Sequence, residues 1–281
     1  MALLQEFSGL GPLLRPTSAP DAPLTSRTPL IRYRRRGLEI GEVYFEDVLP
    51  EPLPRVDLLR FLAVHEPRSE RPWKRRNTLS VDMTLPEDEL MRQMGKNNRY
   101  KVRRAMSRDS LEVQTFESPT PEAVVEFADY YDEFAGSKSL RPVFRPRLYA
   151  MAKSGMLVLS RASSDGEPLV WHAYAAGSRQ ALLMYSASLF RRYEDSSVRN
   201  MVGRANRFLH WHDMLWCRNA GYAFYDLGGI NLAGEDEETR RVTDFKLGFG
   251  GGPRPSYTCT TALTAKGRLA KLALGVRRVD L

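Results

Sequence analysis

Residues 225–252 place a lone lysine, Lys246, directly after Phe245, between two glycine-rich bends. The first bend follows a short apolar run that ends in Asp226, Leu227, Gly228 and Gly229; the second is the triplet Gly250, Gly251 and Gly252. Glycine reaches backbone angles closed to other residues, so the first pattern predicts a buried strand that stops in a tight turn. An acidic loop at 235–238 and an amphipathic stretch lie between the bends. Binding residues tend to sit on loops held by a rigid scaffold, which makes this stretch a candidate site. Spacing alone does not name a reaction. Two structural roles stand beside the chemical one: Lys246 pairing with Asp244 or the acidic loop, and Asp226 capping the glycine turn.

A second set of residues could hold an anion. From Gly95 to Arg108 the chain carries Lys96, Arg99, Lys101, Arg103, Arg104 and Arg108 and no acid. Such density attracts phosphate without base-specific contacts, although a solvated helix face has the same composition. Tyr100 and Trp73 offer stacking surfaces, too few for a nucleic-acid motif. Arg191, Arg192, Tyr193, Arg199 and Asn200 form a further loop candidate for an anionic acyl donor, or they pair with nearby acids. Lys138, Arg141, Arg145 and Arg147 make a third basic loop.

Composition sets the bounds. The chain has 281 residues, 42% of them hydrophobic, enough for one large core or two modest ones. The net charge of +8 favours an anionic partner, or simply keeps the surface soluble. Cys217 and Cys259 lack ligand spacing and read as reduced packing residues. His210 and His212 fall on different faces of one helix, poorly placed for a shared metal, so no metal site is expected; His212 is also weighed as a general base. No apolar run reaches the ~18 residues of a membrane span, and the N-terminus lacks signal-peptide features. The expectation is a cytoplasmic protein, with contact to an anionic membrane surface left open. Oligomeric state is not legible.

The elements that must position these groups follow from periodicity and turn signals. Five prolines within residues 1–29 predict an irregular arm. Residues 30–44 read as strand-like, 56–64 as an apolar segment of either type, and 78–83 as a strand. Thr84, Leu85, Pro86 and Glu87 predict a helix start with a polar cap, an early proline and first-turn acids. That helix continues or restarts through Arg108. A strand at 111–116, helices at 121–134 and 147–154, and three strands at 156–161, 169–176 and 180–186 follow, with Asp165-Gly166 and Gly177 as turns. A long helix at 198–220, a strand at 257–261 and a helix at 264–276 complete the expectation.

Tyr225-Asp226-Leu227-Gly228-Gly229-Ile230, with Phe245-Lys246 and Phe249-Gly250-Gly251, resembles the C-terminal signature of the FemABX family. Those GNAT-like transferases use aminoacyl-tRNA to add amino acids to peptidoglycan precursors. Residues 78–105 also resemble the FemAB-like pattern of a strand ending in Asp, here Asp82, then a basic helix with Lys96, Arg99, Val102, Arg103 and Ala105; one extra Asn separates Lys96 from Arg99. The resemblance spans roughly 78–261.

It implies an α/β fold with a GNAT-like mixed central sheet flanked by helices, acyl donor and acceptor meeting near splayed central strands. It implies residues 77–281 as the transferase core and 30–76 as a reduced or divergent N-terminal unit. Full FemABX proteins have two GNAT-like units, so the short chain fits an amine-bearing peptide or small metabolite better than a peptidoglycan precursor. Lys246 would then stabilise charge on the attacked ester carbonyl, Phe245 position substrate or terminal adenosine, and Asp226 complete the catalytic set. Lys96, Arg99, Arg103, Arg104, Arg191, Arg192 and Arg199 would contact tRNA, and Tyr225, Asp244 and Tyr193 the acceptor. No tightly bound cofactor is implied. The acetyl-CoA pyrophosphate loop is not found, which lowers acyl-CoA or acyl-carrier protein as donor without removing it. A catalytically silent basic module is the third reading.

Overall fold

The computed structural model describes residues 29–177, 179–232 and 236–275. Residues 1–28 of the arm expected over 1–29, and the basic end at 276–281, lie outside the described residues. The chain begins with a hairpin, β1 (Ile31–Arg35) and β2 (Leu38–Tyr44). Arg36 and Gly37 both take positive φ, 49° and 77°, the geometry whose twist matches an antiparallel pair. The single strand-like pattern at 30–44 is therefore two strands, its turn hidden within an arginine run. β3 (Leu58–Val64) lies parallel to β2, and β4 (Lys74–Asp82) follows.

Two helices come next, α1 (Glu87–Gln93) and α2 (Lys96–Arg108), so the expected helix restarts at Gly95. Thr84 is not the cap of α1. Its backbone N–H and hydroxyl both donate to Asp82, and Pro86 takes the N-cap position without a side-chain bond. β5 (Glu112–Phe116), α3 (Pro121–Ser137) and α4 (Arg145–Lys153) lead into an antiparallel meander, β6 (Leu157–Ser164), β7 (Glu167–Gly177) and β8 (Gln180–Ser188). Then come α5 (Ser196–Asn219), β9 (Phe224–Ile230), α6 (Glu237–Leu247), β10 (Gly252–Ala262) and α7 (Ala265–Gly275).

The ten strands of the described residues join one sheet in the order β1-β2-β3-β10-β4-β9-β8-β7-β6-β5. β10 is longer than the strand expected at 257–261 because it starts at the glycine triplet and runs through Pro253 and Pro255. There it pairs only with β4; β3 joins from Tyr257 onward. The prolines, which cannot donate to a ladder, thus fall where the strand has one partner. One face of the sheet packs on α3 and α4 through Val124, Phe127, Leu148 and Met151, and the other on α1, α2 and α5 through Leu90, Val102, Trp211 and Met214. The result is a mixed α/β fold of GNAT-like architecture, a central sheet between two helical layers.

A buried carboxylate ties α4 to the first three strands. Glu42 on β2 accepts from Tyr33 (2.7 Å), from Arg60 on β3 (2.8 Å) and from Arg147 on α4 (2.8 Å). Burial alone would raise its pKa, yet the two guanidiniums outweigh it and the net shift is downward. Removing the carboxylate leaves two cations facing each other in the interior. Glu42→Ala is therefore expected to cost about 3–5 kcal/mol, read as a lower denaturant midpoint. A folded pKa below the ordinary 4.5 means the stabilisation is complete above that value and is lost as pH falls through the folded one. Denaturation curves from pH 6 to 3 should show a steeper loss for the parent than for Glu42→Gln.

Candidate active site

β8 and β9 run parallel but pair over only three residues, Gln180 to Leu182 against Phe224 to Asp226. Beyond Leu182 and Asp226 the two strands part, β8 to Ser188 and β9 to Ile230. β9 also bulges against β4 between Asp226 and Gly229, where Leu227 and Gly228 together oppose Leu79. Gly228 has φ of 79°, and the Asp226 carboxylate accepts its N–H at 2.7 Å. The same carboxylate accepts from the Thr78 hydroxyl. Asp226 therefore fixes the glycine turn. Burial pushes its pKa up, against the downward pull of those two bonds and of His65 and Lys246.

Lys246 projects from α6 onto this turn. Its Nζ donates to the Gly229 carbonyl at 2.7 Å, and a Cβ on Gly228 would come within 3.7 Å of it. It is bonded to the turn backbone rather than to Asp244 or the acidic loop, whose Glu235 lies outside the described residues. Asp236 instead caps α6, accepting from Thr239 N–H at 2.7 Å. Burial lowers the Lys246 pKa, and Asp226 partly offsets that. A half-buried ammonium at the end of a bulged strand, beside the opening between β8 and β9, can meet an oxyanion. Phe245 packs edge-on to Phe249 (5.2 Å) and lies under the Arg207 guanidinium (4.9 Å).

Beneath the turn lies a polar network that the sequence reading did not assemble. Asp213 on α5 is fully buried and held ionised: burial favours its neutral form, but His172 and His212 outweigh it. Tyr174 donates to Asp213 at 2.5 Å and stands 2.9 Å from the Tyr225 hydroxyl, which stands 2.7 Å from His210 Nδ1. An ionised carboxylate only accepts, so the protons run one way. Tyr225 donates to Tyr174, His210 donates through Nδ1 to Tyr225, and the lone pair stays on His210 Nε2. That atom has no hydrogen-bond partner, and burial, then His172, drives the His210 pKa well below 6.5. Its ring packs against Phe249 (4.6 Å) and Phe245 (5.7 Å). The signals were an acid within the apolar stripe of α5 and a histidine, His172, inside the apolar run of β7. His212 lies off this line, with Nδ1 3.8 Å from Asp213.

The basic residues divide among three places. Lys96, Arg99, Tyr100, Arg103, Arg104 and Arg108 line one open hollow on α2, and Tyr100, Arg104, Arg199 and Arg204 line an adjoining one where α5 begins. Arg207 links this face to the turn, donating to Asn98 on α2 at 2.9 Å while lying over Phe245. Arg191 and Arg192 sit elsewhere, in a small hollow beside α3, where Arg192 meets Glu133 at 3.6 Å. Arg145 is held by Asp129 and Asp132, and Arg147 by Glu42. Tyr225 is wholly buried in the network, Tyr193 packs on the α5 side near Val202, and Asp244 faces solvent on α6. Cys217 and Cys259 are buried free thiols.

Two substitutions separate turn from network. Gly228→Ala puts a Cβ 3.2 Å from the Leu183 carbonyl at positive φ, and should cost about 1–2 kcal/mol in urea denaturation. Tyr225→Phe leaves the buried His210 Nδ1–H without an acceptor, while Tyr174 keeps its bond to Asp213, and should cost about 1–3 kcal/mol in the same measurement.

No family model matches the chain, and no curated protein matches it. Among solved structures, it is similar to FemX, with a TM-score of 0.59 at 13% identity over 88% of this chain and 86% of that one. It is also similar to the C-terminal domain of a putative lysylphosphatidylglycerol synthetase from Agrobacterium fabrum (TM-score 0.47, 16% identity, 78% and 72% covered). L-PGS from Bacillus licheniformis follows (0.45, 14%, 78% and 72%). The FemX match shows that the two chains share a fold, in keeping with the GNAT-like architecture of the sheet and its two helical layers.

Proposed function

We propose that this protein is an N-acyltransferase that uses an aminoacyl-tRNA to form an amide on the amine of a peptide or small metabolite. The observation that carries the reading is the continuity from the cationic face of α2 and early α5, through Asn98, Arg207 and Phe245, to Lys246 at the parted strands. A nucleic-acid donor needs a surface for its phosphates and a separate cation for its reacting ester, and this line supplies both.

The neutral amine of the acceptor attacks the ester carbonyl, and the carbon–nitrogen bond forms as the carbonyl electrons move onto oxygen. Lys246 Nζ stabilises that oxyanion. The intermediate collapses, the bond to the ribose oxygen breaks, and the proton shed by the amine ends on the ribose hydroxyl. Phe245 presents an aromatic face to the donor's terminal adenosine. No covalent acyl-enzyme is required, since the acceptor reaches the ester directly.

Removal of one oxyanion donor typically costs about 10²–10³ in kcat. Lys246→Ala should therefore lower single-turnover transfer by that factor while leaving tRNA affinity unchanged in filter binding. The binding term has its own signature. Neutralising Arg99, Arg103 and Arg104 together should weaken tRNA binding and flatten its dependence on log salt by about 2–3, at about 0.7–0.9 for each phosphate contact. Retention of acyl-CoA but not aminoacyl-tRNA on the parent protein would overturn the choice of donor.

A further inference from the structure

A groove of about 550 Å3 opens where β3 and β4 end and β8, β9 and β10 begin, on the sheet side opposite α5. Its walls include His65, Arg68, Asp82, Arg179, Gln180 and Arg254. Three of these carry polar atoms that are buried and have no hydrogen-bond partner: His65 Nε2, Gln180 Oε1 and Arg254 Nη1. Polar groups in folded proteins are rarely left in that state, and a convergent set at one concave surface needs an explanation such as a ligand. His65 is oriented by its other nitrogen, which donates to the Pro255 carbonyl at 2.7 Å. The Arg254 guanidinium lies over the Phe224 ring, 4.2 Å from its centroid.

The chemistry of the walls differs from that of α2. Three arginines, Arg68, Arg179 and Arg254, are matched by three acids, Asp47, Glu66 and Asp82. Balanced charge does not suit RNA or a polyphosphate, for which the acid-free α2 face is far better adapted. It suits a small molecule that carries both a cation and an anion. An arginine fork takes a carboxylate in two parallel bonds, while Gln180 Oε1 and Asp82 accept from an ammonium or amide.

The groove also reaches the transfer centre. His65 Nε2 lies 3.8 Å from Asp226 Oδ2, the Asp226 carboxylate accepts from Gly228, and Lys246 is bonded to Gly229. A ligand between His65 and Gln180 is thus next to the residue from which β8 and β9 diverge.

We infer that this groove binds the acceptor, a zwitterionic α-amino acid or short peptide, with its carboxylate on Arg254 and its amine toward Gln180 and Asp226. This rests on the transferase reading for the word acceptor; the binding site itself is tested without any donor.

The test is saturation-transfer NMR on the full chain, free of tRNA and CoA, with the twenty standard amino acids and a panel of dipeptides as probes. At least one zwitterion should bind. Its N-acetyl and its carboxamide forms should each bind at least tenfold more weakly, and Arg254→Gln and Gln180→Ala should weaken the parent probe by a similar factor. Arg179→Gln, at an exposed residue, gives the same reading if Arg254→Gln does not fold. Absence of binding across the panel, or binding indifferent to both caps or to the groove variants, overturns the inference. Binding of a zwitterion alongside loss of every tRNA effect would sustain the groove and reject only the donor.

Discussion

The site depends on β8 and β9 being allowed to separate. Parallel strands in the middle of a sheet normally keep their ladder, because an unpaired buried backbone group costs as much as a lost hydrogen bond. Here the ladder stops after three residue pairs. Replacement partners make that stop tolerable. Asp226 takes the Gly228 N–H and Lys246 donates to the Gly229 carbonyl. The bulge against β4 turns β9 just where it leaves β8. On the transferase reading, the groups that satisfy the opened backbone are also the groups offered to a substrate.

That arrangement asks two charges to sit half out of water, and the surroundings compensate unequally. Asp226 is nearly sealed, with burial favouring its neutral form, whereas Lys246 keeps a path to solvent. The Asp213 network below contributes rigidity to the same region. It runs from α5 through β7 and β9, so the strand bearing the turn is tied to the long helix by hydrogen bonds as well as by packing. Its neutral end at His210 also adds no positive charge beside Lys246, which would otherwise lose its proton more readily.

Local patterns revealed the elements well and their neighbours poorly. The meander of β6, β7 and β8 was readable because its turn, Asp165-Gly166, takes positive φ at both residues and the flanking runs are apolar. The glycine signature at 228–229 and 250–251 was readable for the same reason: each of Gly228, Gly250 and Gly251 has positive φ. Insertion of β10 between β3 and β4 was not, since no local signal specifies a partner nearly two hundred residues away. Nor could the arginines be sorted. Arg145, Arg147, Arg191 and Arg199 look alike in sequence, yet the first two meet acids and only the last joins the α2 face. Paired histidines at 210 and 212 drew attention to metal spacing, while the informative partner of His210 was Tyr225, brought in by the sheet.

Two surfaces of opposite character therefore flank one opening. The α2 face carries cations without acids, a field suited to a long polyanion and sensitive to salt. The groove on the other side carries balanced charge and desolvated polar atoms, a surface suited to a short ligand with fixed geometry. The turn of β9 is reached by Lys246 from the α6 side and by His65 from the groove side. On the transferase reading, a large donor and a small acceptor would be bound by unrelated chemistry and meet at one carbonyl, because β8 and β9 part between the two surfaces.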